Sequence, residues 1–298
     1  MEESKKNWHD KHHKTLLIIP AVLIIFSIVY LVIFHANTGD FIRKDISLTG
    51  GTAITIYDKV NVDDLEANIS SSLSDLGLRE IYDLTTREQK AVIVETTSSQ
   101  DLTKSVLEAY LGYELVEGEN SDFEFTGAIL SNSFYKQLLI AILIAFLFMA
   151  IVVFILFKTA VPSLAVVISA FADILMTLVF FDLLGLKMST AGIVAILMLI
   201  GYSVDTDIML TTRLLKRREG SLNERLFKAF KTGITMTLTS FVAMFVALLV
   251  VKSFSEVLTQ IFTILVIGLG FDILNTWITN VSILKWYVER KEKKWRKS

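Results

Sequence analysis

Six apolar runs decide what this chain can be. They fall at about residues 15–34, 137–157, 161–182, 189–211, 234–251 and 258–284. A helix needs about 20 apolar residues to cross a bilayer. Hydrocarbon offers the backbone no water, so each run must satisfy its own peptide groups as a helix. The expectation is a polytopic α-helical membrane protein with six transmembrane helices. Pro162 is expected at the first helical position of the third span, where its missing N–H costs nothing. The last run is long for one crossing. It is expected to tilt, to extend beyond the bilayer, or to bend near Gly268 and Gly270.

The first run follows a basic stretch, MEESKKNWHDKHHK, and has no small-x-small site at its end. It reads as a retained signal-anchor, not a cleaved signal peptide. Positive charge sets the orientation. Lys5, Lys6, Lys11 and Lys14 precede the first span, and Arg213, Lys216, Arg217, Arg218, Arg225, Lys228 and Lys231 lie between the fourth and fifth. VERKEKKWRKS ends the chain. Six spans place all three segments on one side, which is then cytoplasmic. The division expected is a tail 1–14, a first helix 15–34, an extracytoplasmic domain 35–134, a five-helix membrane domain 135–290 and a tail 291–298. The localisation expected is the cell membrane.

The outer segment alternates between strand and helix patterns. ISLTGGTAITIYD reads as a strand with a Gly-Gly kink, and NVDDLEANISSSLSDLG as a helix with apolar residues at Val62, Leu65, Ile69, Leu73 and Leu76. LREIYDLTT and QKAVIVETT read as two strands, SQDLTKSVLEAYLG as a helix capped by Ser99 or Asp101, and YELVEG and DFEFTGAIL as closing strands. The order β-α-β-β-α-β is that of a ferredoxin-like domain. On the cytoplasmic side, Ser221 and Glu224 form an S-x-x-E capping box. Leu222, Leu226, Phe227 and Phe230 then oppose Arg225, Lys228 and Lys231 within the loop 213–231. That describes a short amphipathic helix on the membrane surface.

Several chemistries are excluded. The chain has no cysteine, hence no disulfide, thiolate metal site or thiol nucleophile. His9, His12 and His13 read as a solvated tail with no carboxylate framework for a metal. No P-loop occurs, so direct ATP hydrolysis is not expected. No cofactor or metal is implied.

The informative residues are polar ones inside apolar helices. Ser169, Asp173 and Thr177 recur at i, i+4, i+8 in the third span. Ser203, Asp207 and Thr211 share a stripe in the fourth, with Thr206 beside them and Gly201 and Asp205 on another face. Asp205 and Asp207 are about 200° apart around the helix. Thr232, Thr235 and Thr239 line one row of the fifth span, Thr237 and Ser240 another. Gly268, Asp272, Asn275, Thr276 and Thr279 line the sixth. Such stripes must face one another or a wet cavity. Most Ser and Thr read as interhelical glue, at about 0.6 kcal/mol each. The aspartates do not, because a charge at mid-membrane costs at least ~2.5–3.5 kcal/mol. Asp205, Asp207, Asp173 and Asp272 are therefore expected either to couple or gate protons or ions, or to sit as neutral, protonated structural groups. Arg213 and Lys231 are the nearest cations, and Gly192, Gly201, Gly233, Gly268 and Gly270 allow close helix approach.

With these residues in view the chain resembles the SecF branch of the SecD/SecF family, within the RND superfamily. LTGGTAI (48–54) resembles the family's D-F-x-G-G-T element, although Ser47 and Leu48 stand where the family has Asp-Phe. GYSVDTDIMLTTRLL (201–215) resembles G-Y-S-[IV]-N-D-T…D-R; Thr206 aligns with the family's aspartate and Thr212 with its second one, while Arg213 is kept. NERLFKAFKTGITMTLTS (223–240) resembles the N-x-T-L-x-R-T-x-x-T-S-x-T-T element, with Lys231 in place of its arginine. The resemblance implies a non-enzymatic accessory of Sec protein export. It implies a SecD-like six-span partner, a SecYE-type channel, an unfolded polypeptide in transit and drive from the proton gradient. No nucleic acid is implied.

Two other readings compete. An RND-type small-molecule or lipid exporter normally has two larger outer domains, against about 90 residues here. An intramembrane aspartyl protease would use GLGFD (268–272), but its acid is displaced by one residue, about 100°, from the G-x-G-D pattern.

Overall fold

The computed structural model describes residues 16–83, 86–216, 220–252 and 255–295. The basic tail 1–14 with His9, His12 and His13, and Arg217 and Arg218 of the loop, lie outside these residues, as does the end of the C-terminal tail. Six helices are long and apolar enough to cross a membrane: residues 18–38, 131–157, 160–183, 190–216, 222–251 and 256–291.

Helix α1 (Ile18–Thr38) ends at Gly39, whose φ of 78° closes the last turn onto the His35 carbonyl. Residues Ile46–Thr49 are not strand but one helical turn, α2. The Asp45 carboxylate accepts from the Ser47 N–H, and Gly50, at φ 82°, ends the turn. Strand β1 (Gly51–Ile56) starts where glycine is obligatory: a Cβ on Gly51 would run into the Thr96 backbone, 3.2 Å from its carbonyl carbon. Helix α3 (Val62–Ile69), β2 (Gly77–Tyr82), β3 (Gln89–Thr96), α4 (Gln100–Leu111) and β4 (Ser121–Thr126) follow. All strand pairs are antiparallel, in the order β2-β3-β1-β4. Ser99 is the N-cap of α4. YELVEG is not a strand: the Asn120 side chain bonds the Val116 N–H and the Glu114 carbonyl, and so holds a turn that buries Leu115.

One face of the sheet packs Ile54, Ile56, Val92 and Val94 against Leu65 and Ile69 of α3 and Leu107 of α4. Each fully buried side chain of this kind contributes about 1.5–3 kcal/mol. This core contains no bundle residue. The linker does the opposite, since Ile42 and Leu48 belong to the bundle core with Met188, Ile193 and Ile264.

The membrane helices are α5 (Ala128–Phe157), α6 (Ala160–Leu183), α7 (Thr190–Lys216), α8 (Leu222–Val251) and α9 (Glu256–Leu274). A π-helical segment, Asn275–Asn280, joins α9 to α10 (Val281–Trp295). Thus the last span changes its winding beyond Gly268 and Gly270, at 275–280. Pro162 is the third residue of α6, still inside the first turn, where no backbone N–H is needed. The capping box Ser221/Glu224 forms, but the amphipathic stretch it opens runs without a break into the fifth span as α8.

Burial ranks the helices. In the most apolar windows 67% of α6 and 56% of α7 are buried, against 11% of α1, 6% of α5 and 11% of α8. Helices α6 and α7 therefore form the centre of the bundle, and α1, α5 and α8 its perimeter.

Candidate functional site

The polar stripes of the third, fourth and sixth spans meet in the centre. Asp173, Asp207 and Asp272 are each fully buried, as are Ser203, Asn275, Thr276 and Asn280. Asp173 uses both oxygens: Ser203 donates to Oδ2 at 2.5 Å and Asn275 Nδ2 to Oδ1 at 2.7 Å. Asp207 Oδ1 accepts from Thr276 Oγ1 at 2.8 Å and from Asn280 Nδ2 at 2.6 Å. Thr276 Oγ1 also lies 3.1 Å from Asp272 Oδ1. A hydroxyl has one proton, so Thr276 can serve only one of the two carboxyls at a time.

Five buried oxygens in this region make no close hydrogen bond, Asp207 Oδ2, Asp272 Oδ2, Ser169 Oγ, Thr211 Oγ1 and Asn280 Oδ1, although Ser169 is within looser reach of Asp207 and Ser203 of Asp272. Burying a polar atom unpaired costs about 1–3 kcal/mol. Two of the five, Ser169 and Thr211, are hydroxyls with a proton of their own to donate. Among the described residues, no group of three or more His, Cys, Asp or Glu side chains is arranged to hold a metal ion.

Other expected site residues lie elsewhere. Asp205 and Gly201 are on the exposed face of α7. Thr235 and Thr239 are exposed on α8, each bonding the carbonyl four residues back at 2.7 Å. Of the fifth span's hydroxyls, Thr237 turns inward, 3.3 Å from Thr206. That contact sets Thr237 level with Thr206, so Lys231 lies about 9 Å further along α8. Lys231 is exposed, and Arg213 donates to the Lys228 carbonyl at 2.9 Å. Neither cation bonds a carboxyl of the cluster.

The glycines divide likewise. A Cβ on Gly268 would press on Leu199, one on Gly192 on Met188 and Gln260, and one on Gly233 on Trp277 and Met209. Gly201 and Gly270 have nothing within 4 Å, so they allow no close approach within this chain.

One participant escapes a reading of the sequence, Asn280, although it continues the spacing 272, 276, 280. Lys285 also escapes it as a buried residue, only 3% exposed where the apolar run gives way to a basic tail. At the C-terminal end of α6, Asp182 is also buried, bonded to Tyr30 of α1 and to the Arg43 backbone N–H at 3.3 Å.

The family model for the protein export membrane protein SecD/SecF, C-terminal, matches residues 87–290. The protein-export membrane protein SecF of Methanocaldococcus jannaschii is 40% identical over 282 residues, 93% of this chain and 96% of that one. SecF of Methanothermobacter thermautotrophicus is 38% identical over 94% of each chain. SecF of Pyrococcus furiosus is 33% identical over 99% of this chain and 97% of its own. Among solved structures, SecDF of Thermus thermophilus, a translocon-associated membrane protein, superposes with a TM-score of 0.70 at 17% identity. The match covers 96% of this chain but 39% of that longer one, and at this identity it speaks for the fold alone. On the family match and these near full-length relatives, the chain belongs to the SecF family of protein-export membrane proteins.

Proposed function

We propose that this chain works in Sec protein export as one half of a heterocomplex with a SecD-like six-span partner, and that its buried carboxyls couple ion movement to that work. The observation that carries the coupling is the single Thr276 hydroxyl set between Asp207 and Asp272, two fully buried carboxyls that it cannot serve at once. Adding or removing one proton or small cation there changes which bonds can form. Carboxyls in a membrane interior are tolerated where they line such a path. The site is not the family's aspartate position, which here is Thr206. The carboxyls stand one residue along at Asp207 and across on α6 and α9.

The partner reading is supported by polar residues left on exposed faces of the helices. Asp205 on α7 and Thr235 and Thr239 on α8 face outward from apolar helices. Lipid cannot satisfy Asp205, and a neighbouring polar helix can. The β-α-β-β-α-β order of residues 51–126 supports a ferredoxin-like outer domain, placed to meet unfolded polypeptide beside a SecYE-type channel. The cell membrane, with both termini cytoplasmic, completes the reading.

The test is export in cells carrying Asp173→Asn, Asp207→Asn or Asp272→Asn, with membrane levels of the chain measured in parallel. Impaired export at normal membrane levels is expected for each. Normal export in all three would refute the coupling. Asp205→Asn is expected instead to weaken co-purification of the partner. Intact co-purification would move Asp205 out of the interface.

A further inference from the structure

The stretch LFKAFK, residues 226–231, has no part in the buried carboxyl site. It lies in the first turns of α8, which runs unbroken from Leu222 into the fifth span. Between Lys231 and the C-cap Lys252 the helix carries no charge. These two lysines stand about 31 Å apart along the axis, close to the ~30 Å of a bilayer's hydrocarbon. Lys231 therefore marks the hydrocarbon edge. Phe227 and Lys228 lie about 5–6 Å beyond it, at the level of the headgroups.

The 3.6-residue period puts the two phenylalanines on one stripe of α8 and the two lysines on the stripe beside it. Phe227 is 68% exposed and Phe230 43%, and both lysines are exposed. Below the rings the apolar stripe continues into the hydrocarbon as the exposed Leu238, Phe245 and Leu249. Arg213 of α7 extends the cationic stripe. It donates to the Lys228 carbonyl at 2.9 Å, and the Thr232 hydroxyl reaches the same carbonyl at 3.2 Å, so α7 ends on the lysine side of α8. Lys216, also exposed, follows one turn further out. Among the described residues none of these four cations has an ion pair. The only acid between Leu222 and Lys231 is Glu224, and its carboxylate is turned to the Ser221 N–H, at 3.0 Å, in the capping box.

We propose that this end of α8 binds an anionic phospholipid, with Lys228, Lys231 and Arg213 on its phosphate and Phe227, Phe230 and the stripe below them against its glycerol and chains. Charge selects the occupant. Four unanswered cations at the depth of lipid phosphates fit an anionic headgroup, as basic clusters at the ends of membrane helices do. Side chains of a helix lean toward its N-terminus, here toward the water, so Lys231 extends from the hydrocarbon edge to the phosphate level of Lys228. A headgroup there also covers two rings that would otherwise stand in water. The inference depends neither on ion transport by the buried carboxyls nor on which way the chain crosses the membrane.

The measurement is native mass spectrometry of the full chain in detergent, titrated with phosphatidylglycerol or with phosphatidylcholine of the same acyl chains. The parent is expected to bind its first phosphatidylglycerol more tightly than its first phosphatidylcholine. A basic residue near the lipid surface is worth about a fivefold change in affinity, so Lys228→Gln with Lys231→Gln is expected to weaken phosphatidylglycerol about 25-fold and leave phosphatidylcholine unchanged. Both lysines are exposed, so the fold does not depend on them. Lys228→Arg with Lys231→Arg keeps the charge and is expected to bind as the parent does. Lys252→Gln, at the far end of α8, is expected to change nothing. Equal affinity of the parent for the two lipids overturns the proposal, as does parental phosphatidylglycerol binding in the glutamine variant. A loss as large in Lys252→Gln or in the arginine variant overturns it too, since neither change removes charge from this site. If the glutamine variant keeps its lipid and instead sheds a co-purifying membrane protein, the face is a protein interface and the lipid reading falls.

Discussion

Asp173 allows the sharpest test of how the bundle is held together. Its carboxylate takes one bond from Ser203 on α7 and one from Asn275 beside α9, and so ties three helices at one point. Asp173→Asn keeps the shape. Its amide oxygen still accepts from Asn275, and its N–H₂ donates to the Ser203 oxygen, whose own proton can rotate away. Asp173→Leu fills similar space but leaves the Ser203 hydroxyl and the Asn275 amide facing hydrocarbon. An unpaired buried group costs about 1–3 kcal/mol, so two cost about 2–6 kcal/mol. The bonds themselves, at about 0.6 kcal/mol each between membrane helices, predict a loss of only about 1 kcal/mol for Asn even if both were weakened. Unfolding in mixed detergent micelles, titrated with a denaturing detergent, measures the difference directly. Leu is expected below Asn by at least about 1 kcal/mol, the low end of the gap between those two figures. If Leu equals or exceeds Asn, Ser203 and Asn275 need no polar partner on α6, and the account of Asp173 as a three-helix tie fails.

Other outcomes follow from single sites. Gly233→Ala would set a methyl 2.7 Å from Met209 Cε and 2.8 Å from Trp277 Cη2, with Cζ2 of the same buried ring nearer still, so α8 must shift. A loss of about 1–3 kcal/mol is expected in the same unfolding assay, with no loss for Gly270→Ala. Ser221→Ala removes the cap on α8, whose side chain bonds the Glu224 N–H, and is expected to cost about 0.5–2 kcal/mol. Burial raises the Glu95 carboxyl above the usual carboxylate range, with Arg79 pulling it back down. The folded domain then holds this proton more tightly than the unfolded chain. Its contribution is full below the unfolded value and is lost as pH rises through the raised one. Hydrogen exchange of the strand amides of residues 51–126 in denaturant should show stability falling over that window, and Glu95→Gln should flatten the slope.

The six spans were legible because apolar length is a direct statement about solvent. The polar stripes of the third, fourth and sixth spans were legible too, since a 3.6-residue period fixes a face. What periodicity cannot say is which way a face points. Thr235 and Thr239 repeat as well as Ser203 and Asp207 do, yet they bond their own backbone and look outward, while Asp205 parts from Asp207 by half a turn. Local chemistry hid other features. The Asp45 side chain turns Ile46–Thr49 into helix against its alternating pattern, and Asn120 makes a turn of a strand-like YELVEG. Asn280 was lost by ending the count one residue early, and Lys285 because a cation beside a basic tail reads as surface.

The wide turn at Asn275–Asn280 has a consequence for how the last span can vary. A π turn accommodates one residue more than an α-helix would, while the helix on either side keeps its facing. Losing one residue inside 275–280 would therefore close the turn and leave Gly268 on Leu199 and Leu284 in the bundle, at the expense of the carboxyl partners alone. Losing one residue near Ile267 would instead swing everything on one side by about 100° and unseat the span. Anchorage and polar chemistry thus occupy one helix as two separable modules, and the six residues between them are the place where one can be removed without disturbing the other.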